Sequence, residues 1–267
     1  MLGLPLIALA VLSLGLSGLG LPGSGDAAYG RAAGFRLPRS TQQLVVATAL
    51  SWESSEVTLR RFALRRRQWV AVGPPWAGRI APKGLAWGRG LHPIPPGTPM
   101  KREGDRRAPA GVFRLGPAFG YDAAWADRTK LPFVAVGERD VFDEDPASAT
   151  YNQHVRLDHD PRTPWEQRQQ MVQADPAHAL QVFVQHNTNP TVAGGGSAIF
   201  LHGWRTGESG ATKTTTGCTT MARSDIDRLV EWLDPAREPL YVLLPEAEYS
   251  TYQQAWDLPP VVFAGSD

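Results

Sequence analysis

Glycine and proline are spread along this 267-residue chain and limit how much of it can be helical. The sequence contains 27 Gly and 23 Pro, and residues 73–99 are especially rich in both. Both residue types destabilise the interior of a helix, whereas they are common in turns between strands. The sequence therefore predicts a mainly β fold with many loops. Residues 73–99 are too long for an ordinary loop and should contain short extended pieces.

Short apolar runs of strand type occur between these breaks. β-branched and aromatic residues, or alternation of apolar and polar residues, mark them as strands. The predicted strands span residues 43–50, 57–64, 68–72, 111–115, 180–186, 197–202, 240–244 and 259–263.

Two helices are predicted beside these strands. The longer one begins at Ser224, which together with Asp227 forms a start that resembles a capping box, and it ends at Asp234. Its apolar stripe consists of Ile226, Leu229, Val230 and Leu233. Residues 121–178 are polar and weakly periodic, and we expect a loop-rich insertion with a short helix near residues 164–172.

The first 22 residues contain no charged side chain and are mostly Leu, Ala, Gly and Val. Such a run is typical of a secretory signal, with cleavage between small residues just before Ala28. However, no Lys or Arg precedes it, and about 20 apolar residues can also anchor a chain in a bilayer. Residues 1–27 are therefore predicted to be a signal peptide or an N-terminal anchor, and the remainder to be exported to the periplasm or cell envelope.

The charge balance and the cysteine count restrict the partners of an exported chain. A net charge of +1 does not imply nucleic acid as a partner, and membrane contact is expected only through an uncleaved leader. Cys218 is the only cysteine, so it cannot form the intrachain disulfide that is common in exported proteins. Its thiol is an inert buried group, an intermolecular partner or a reactive nucleophile.

His202 offers a chemical partner for Cys218. It ends the predicted strand 197–202, and a loop of small and polar residues that separates the two can place the thiol beside the imidazole. A free thiol with a pKa of about 8.5 is mostly protonated at neutral pH, and an imidazole with a pKa of about 6.5 can accept its proton. The resulting ion pair could attack a carbonyl carbon. A hydrogen-bonded core histidine is the other interpretation, and spacing alone leaves both open.

Gly217 directly precedes the cysteine. A glycine there lets the chain turn sharply and lets a carbonyl oxygen approach the backbone. The N–H groups of Gly217 and Cys218 are then candidate donors to an oxyanion.

Several motifs resemble, in the same order, the L,D-transpeptidase (YkuD-like) catalytic domain. GSAIFLHGW at 196–204 and TTTGCTTM at 214–221 are similar to its active-site signature, in the branch with Gly-Ser-Ala-Ile-Phe before the histidine and Thr-x-Gly-Cys at the cysteine. Three more segments resemble that branch, namely GDRRAPAGVFRLGPAFGY (104–121), DPASATYN (145–152) and MARSDIDRLVEWLDP (221–235). The resemblance runs from about Gln43 to Leu244.

The resemblance implies a fold and a set of roles. The fold would be an L,D-transpeptidase-type β-sandwich with one or two packed helices, as a catalytic domain over residues 40–245 followed by a C-terminal extension over 246–267. Cys218 would be the nucleophile that forms a thioester, and His202 its general base and later the acid. The carbonyl of Gly203 would orient the imidazole.

The same resemblance implies the substrates. Peptidoglycan stem peptides would be both donor and acceptor in a cross-linking reaction, and carbapenem-type β-lactams would acylate the thiol. No cofactor is expected. His154, His159 and His178 lie in the polar insertion at spacings that fit no metal motif, so no zinc is proposed either.

The chain departs from the better-known branch of the family around the cysteine. Thr216 stands where that branch has a second histidine, and Thr219 and Thr220 follow the cysteine where it usually has Arg or Asn. These positions help to shape the acceptor or carboxylate site, so the stem positions that are joined stay open.

Other side chains are candidate substrate contacts, each with a structural alternative. They are His186 and Asn187 at a strand end, Arg106 and Arg107 as carboxylate ligands, and Tyr121 and Trp204 as groove walls. The alternatives are a hydrogen-bonded edge, a solvated turn and buried packing, respectively.

Three other functions stay open beside cross-linking. If water attacks the acyl-enzyme, the same residues give an L,D-carboxypeptidase. The pair could also serve an envelope cysteine peptidase or amidase, and a non-catalytic envelope-binding protein would keep Cys218 only as a structural residue.

Overall fold

The computed structural model describes residues 34–95 and 97–263. The predicted signal or anchor at residues 1–27 lies outside them. Within the described residues, no helix combines the length and apolar character needed to cross a membrane.

Strands dominate the described residues, which confirms the prediction of a mainly β fold. The strands are β1 (Gln43–Ala49), β2 (Glu56–Arg65), β3 (Gln68–Ala71), β4 (Trp76–Arg79), β5 (Leu85–Trp87), β6 (Ala108–Gly120), β7 (Phe133–Ala135), β8 (Asp140–Phe142), β9 (His154–Arg156), β10 (Leu180–Val184), β11 (Phe200–Gly203), β12 (Thr219–Met221) and β13 (Leu240–Pro245). The α-helices are α1 (Pro164–Arg168), α2 (Arg223–Trp232) and α3 (Glu246–Tyr252), and 3₁₀ turns span Ala123–Asp127, Pro176–His178 and Pro235–Arg237.

The main sheet closes on itself. Its strands follow the order β1-β13-β6-β10-β11-β12-β4-β2-β3, and β1 also pairs with β2. On one side β1 pairs in parallel with β13, and on the other it pairs antiparallel with β2. The strands from β1 to β2 therefore form a ring. The two faces of the expected sandwich are thus parts of one closed sheet, in which pairing satisfies most strand edges.

The core lies inside this ring and beneath the helices. All residues of β1 and β13 are buried, and α2 contributes its apolar stripe as the sequence predicts. Tyr249 and Trp256 are also fully buried in this core. Residues 246–263 therefore pack on the same core as the preceding chain, and the predicted division after residue 245 stays a prediction.

Three local predictions differ from the structure. β6 is 13 residues long instead of five, because pairing on both sides overrides the glycines and prolines in it. Helix α2 begins at Arg223 after Ala222, without a side-chain cap, so Ser224 lies inside its first turn. Residues 259–263 form no strand; Pro259 and Pro260 lack N–H donors, and the carbonyl of Pro259 accepts a hydrogen bond from Tyr249 Oη at 2.8 Å.

Candidate active site

Strands β11 and β12 bring His202 and Cys218 to the same face of the sheet. They are parallel neighbours, with His202 opposite Thr220, and Cys218 immediately precedes β12. Alternate residues of a strand face the same side, so Phe200 and His202 share a face with Cys218 and Thr220. All four line one cavity of about 460 Å³.

The sheet register extends this polar face beyond the cavity. A single row of directly paired residues crosses five strands, from Gln181 through His202, Thr220 and Arg79 to Glu56. Arg79 forms an ion pair with Glu56 at the far end of this row. The face that carries the imidazole therefore continues toward β2 as a polar strip.

The hydrogen bonds of the two groups define their resting state. The Cys218 thiol donates to the Ala198 carbonyl at 3.4 Å, and its sulfur accepts from the Phe200 N–H at 3.4 Å. Nδ1 of His202 donates to the Gly203 carbonyl at 2.8 Å. With the proton of the neutral ring on Nδ1, Nε2 is the unprotonated nitrogen that can accept a proton.

Burial keeps both groups uncharged. It lowers the pKa of His202 to about 3, and the neighbouring His178 acts in the same direction. It also raises the pKa of the Cys218 thiol to about 11, because a thiolate loses hydration in the cavity. The resting pair is thus a neutral thiol and a neutral imidazole, not the ion pair that spacing and ordinary pKa values suggest.

We expect acylation of the thiol to depend little on pH. With the pKa of His202 below the assay range and that of Cys218 above it, the rate should change less than about threefold between pH 5.5 and 8.5. Stopped-flow acylation by a carbapenem would measure it, and thiolate ultraviolet absorbance relative to Cys218→Ala would report the thiol directly. A bell-shaped dependence of the acylation rate on pH, with apparent pKa values near 6.5 and 8.5, would contradict the neutral pair. Thiolate absorbance at neutral pH would also contradict it.

Thr215 holds the turn before the cysteine. Its hydroxyl donates to the Cys218 carbonyl at 2.6 Å and accepts from the Gly217 N–H at 3.2 Å. The Gly217 N–H is therefore engaged in the resting structure and must leave Thr215 before it can serve an oxyanion. That role of Gly217 stays a prediction.

Glycine is needed at position 217 because neighbouring atoms approach its Cα closely. Its φ is not positive, so backbone conformation does not require glycine there. A Cβ there would lie 2.9 Å from Cδ1 of Ile199 and 3.4 Å from the Arg107 carbonyl oxygen. Glycine at this position therefore permits tight packing behind the nucleophile, within the turn that Thr215 holds.

We expect Gly217→Ala to lower stability by about 1–3 kcal/mol, because the added methyl overpacks this contact. Ile199→Val removes Cδ1, the atom that the added methyl would contact, and alone should lower stability by about 0.5–1.5 kcal/mol. The double variant should therefore be more stable than the sum of the single effects predicts. Urea unfolding of the four proteins would measure this, and additive losses would contradict the packing explanation.

His186 and Asn187 do not line the cavity. Both are buried, and His186 accepts from the Arg89 N–H at 3.0 Å and donates to the Gly195 carbonyl at 2.9 Å. Asn187 bonds Val192 and Gly196 around the same glycine turn. These contacts shape the loop that leads into β11, and they leave neither imidazole nitrogen of His186 free for a substrate.

The remaining candidates lie at different places. Arg106 and Thr216 line the cavity. Arg107 points elsewhere and donates to the Leu85 carbonyl at 2.8 Å. Tyr121 hydrogen-bonds Met171 and Gln173 at the edge of the cavity, whereas Trp204 lines a second cavity of about 640 Å³.

Much of the cavity wall was not found from the sequence. The additional lining residues include Glu144, Arg168, His178, Gln181, Arg205 and Lys213. His178 is the one nearest to the chemistry, because its ring stacks on that of His202 with centroids 4.3 Å apart. The sequence spacing of the insertion histidines does not indicate this contact, and no periodic signal in residues 121–178 points to it.

The fold and site define a mainly β protein with a cysteine and a histidine in one open cavity. The chain also matches the family model of the L,D-transpeptidase catalytic domain, YkuD, over residues 53–242, and it therefore belongs to that family. No curated protein and no solved structure gives a significant match to it.

Proposed function

We propose that this protein is an exported cysteine acyltransferase that cross-links peptidoglycan stem peptides through a thioester on Cys218. The observation that carries the proposal is the open cavity that Cys218 and His202 line together, in a member of a family that acts on peptidoglycan peptides.

The first step transfers an acyl group to the enzyme. The donor is a tetrapeptide stem that ends in D-Ala. Sγ of Cys218 attacks the carbonyl carbon that links the L-centre of the third residue to D-Ala, while Nε2 of His202 takes the thiol proton. His202 then returns this proton to the nitrogen of D-Ala, which leaves, and a thioester remains. A neutral imidazole suits this step because it can accept the proton.

The Gly203 carbonyl positions the base in this mechanism. By accepting the Nδ1 proton at 2.8 Å, it favours the tautomer with an unprotonated Nε2. The imidazolium that forms during attack keeps the same hydrogen bond.

The second step decides the product. When an amine of a neighbouring stem attacks the thioester, a peptide cross-link forms and the thiol is regenerated. When water attacks, the net reaction is removal of D-Ala by an L,D-carboxypeptidase. Both outcomes use Cys218 and His202.

The charge of the cavity favours an acidic substrate. Arg106, Arg168 and Lys213 line it, and their side chains have no ion pair or side-chain hydrogen bond among the described residues. Stem peptides carry free carboxylates that such cations can bind. Export to the envelope, where these peptides occur, rests on the apolar residues 1–27.

Defined muropeptides test the proposal. Wild type incubated with a tetrapeptide donor and an acceptor stem should release D-Ala and form a cross-linked dimer, both by mass spectrometry. His159→Gln, which changes a histidine outside the cavity, should behave as wild type.

Each other product points to another function. D-Ala release without dimer would indicate the carboxypeptidase, and cleavage at another bond an envelope peptidase or amidase. A folded protein that leaves all donors intact would indicate a non-catalytic binding protein and would refute the acyltransferase.

A further inference from the structure

His178 has the surroundings of a proton acceptor. It ends the 3₁₀ turn Pro176–His178, two residues before β10 begins, and it lines the same cavity as Cys218. Its ring stacks on His202 at an interplanar angle of 25°. The cavity therefore holds two imidazoles, of which the mechanism above uses one.

The contacts of His178 favour one tautomer. Nδ1 lies 3.4 Å from Oδ1 of Asp175, so this nitrogen carries the proton and Nε2 has a free lone pair. Nε2 has no hydrogen-bond partner in the described part of the chain. Asp175 is itself held by Arg205 at 2.6 Å and by the Ala177 N–H at 2.9 Å.

The charged groups around His178 come from three elements. They are Asp175 at the start of its own turn, Arg205 after β11, and Arg223 of α2, which contacts the carbonyl of Pro176; the neutral imidazole of His202 faces the ring from β11. Burial lowers the pKa of His178 below its ordinary value, Asp175 opposes this and Arg205 adds to it. His178 is therefore an unprotonated base at neutral pH.

Proton counting shows what a second acceptor in the cavity would do in cross-linking. An alkyl amine with a pKa of about 10.4 is almost entirely an ammonium ion at pH 7. To become an amide nitrogen it must lose two protons, one before it attacks and one as the tetrahedral intermediate collapses. The departing sulfur takes up one of them through His202, and the other must pass to bulk solvent before the amine binds unless a second base in the cavity accepts it.

We propose that Nε2 of His178 takes the first proton from the acceptor ammonium, with Asp175 stabilising the imidazolium that results. This inference rests on the proposed transpeptidation and assigns its acceptor step. The neutral amine then attacks the thioester carbon, the C–S bond breaks, and the second proton passes through His202 to sulfur. His178 finally releases its proton to solvent, so that charge and atoms balance.

Two nucleophiles of different basicity test this role. The acyl-enzyme is formed with a tetrapeptide donor and then mixed with Nα-acetyl-lysine amide or with hydroxylamine at pH 7. Hydroxylamine is largely unprotonated at this pH and needs no first deprotonation. Intact mass spectrometry follows the loss of the acyl-enzyme, and each rate is divided by the acylation rate of the same protein.

His178→Gln should lower this ratio for the lysine amine about 100-fold and change it less than about threefold for hydroxylamine. The lysine-amine defect should shrink as pH rises toward the amine pKa. Asp175→Asn, which can keep the hydrogen bond from the Ala177 N–H, should show a smaller defect of the same kind. This variant also tests the proposal if His178→Gln does not fold. His159→Gln is the matched control, since His159 also contacts carboxylates but lies outside the cavity.

Equal losses in acylation and with both nucleophiles, which leave the ratios unchanged but lower every rate, would make His178 only a support for His202. Rates that all equal those of wild type would remove His178 from the reaction. Both results overturn the proposal while the thioester mechanism survives. A wild type that forms no acyl-enzyme refutes the proposed function itself, and the acceptor role with it.

Discussion

His202→Gln is expected to lower the acylation rate of Cys218 at pH 7 by about 100- to 10,000-fold, the usual contribution of a general base. The thiol pKa of about 11 leaves almost no thiolate at neutral pH, so attack depends on proton transfer to His202. In the variant, only the small thiolate fraction can react. Its rate should therefore rise about tenfold per pH unit, whereas that of wild type stays nearly flat.

Carbapenem acylation measured by stopped flow at several pH values provides both readouts. The comparison is made with Cys218 intact and with circular dichroism to confirm the fold. An acylation rate within about threefold of wild type at pH 7 would show that His202 is not the base. A large defect without pH recovery would show that the variant has lost more than a proton acceptor.

The second large effect is a loss of stability in mild acid. Burial lowers the pKa of His92 to about 4 and that of His186 and His202 to about 3 each. These folded-state values lie below the ordinary value of about 6.5, so below pH 6.5 the unfolded chain binds more protons than the folded one. Stability is complete above about pH 6.5 and decreases as pH falls toward 4.

Each histidine contributes up to about 1.4 kcal/mol per pH unit in this window. For a chain of this size, Tm should fall by roughly 10–20 °C between pH 7 and pH 5. In His202→Gln the slope should be smaller by the share of one histidine. His159→Gln should instead make the slope slightly steeper, because hydrogen bonds to Asp158 and Glu166 raise the pKa of His159 and its contribution to stability grows as pH falls. A Tm that is constant over this range, or an equal slope in His202→Gln, would show that these histidines do not control acid stability.

The sequence predicts the strands where local pattern and tertiary pairing agree. The predicted bounds of β1, β2 and β13 agree with the structure within a residue or two, because β1 and β13 are continuously buried and β2 keeps buried apolar residues in a strand-type pattern. β6 was underestimated because two partners hold a strand that contains glycine and proline. The closure of the sheet depends on β1 pairing twice, which no local pattern encodes.

The candidate site is also only partly predictable from the sequence. His202 lies on β11 and Cys218 directly precedes the neighbouring β12, so their shared face follows from sequence order and strand pairing. The opposite wall, with Phe142 and Arg168, comes from the insertion. Its position is set by tertiary packing, so spacing and composition carry no signal for it. The stacking of His178 on His202 is also set by tertiary packing, so the sequence carries no signal for it.

The most direct test of the account is intact mass spectrometry of wild type and Cys218→Ala after incubation with a carbapenem and, separately, with a tetrapeptide donor. One covalent adduct per wild-type molecule is expected with each reagent, located by peptide mapping on Cys218 and released by hydroxylamine when the donor forms it. Cys218→Ala should gain no mass. A folded wild type without any adduct, or equal labelling of Cys218→Ala, would contradict a thioester at this position.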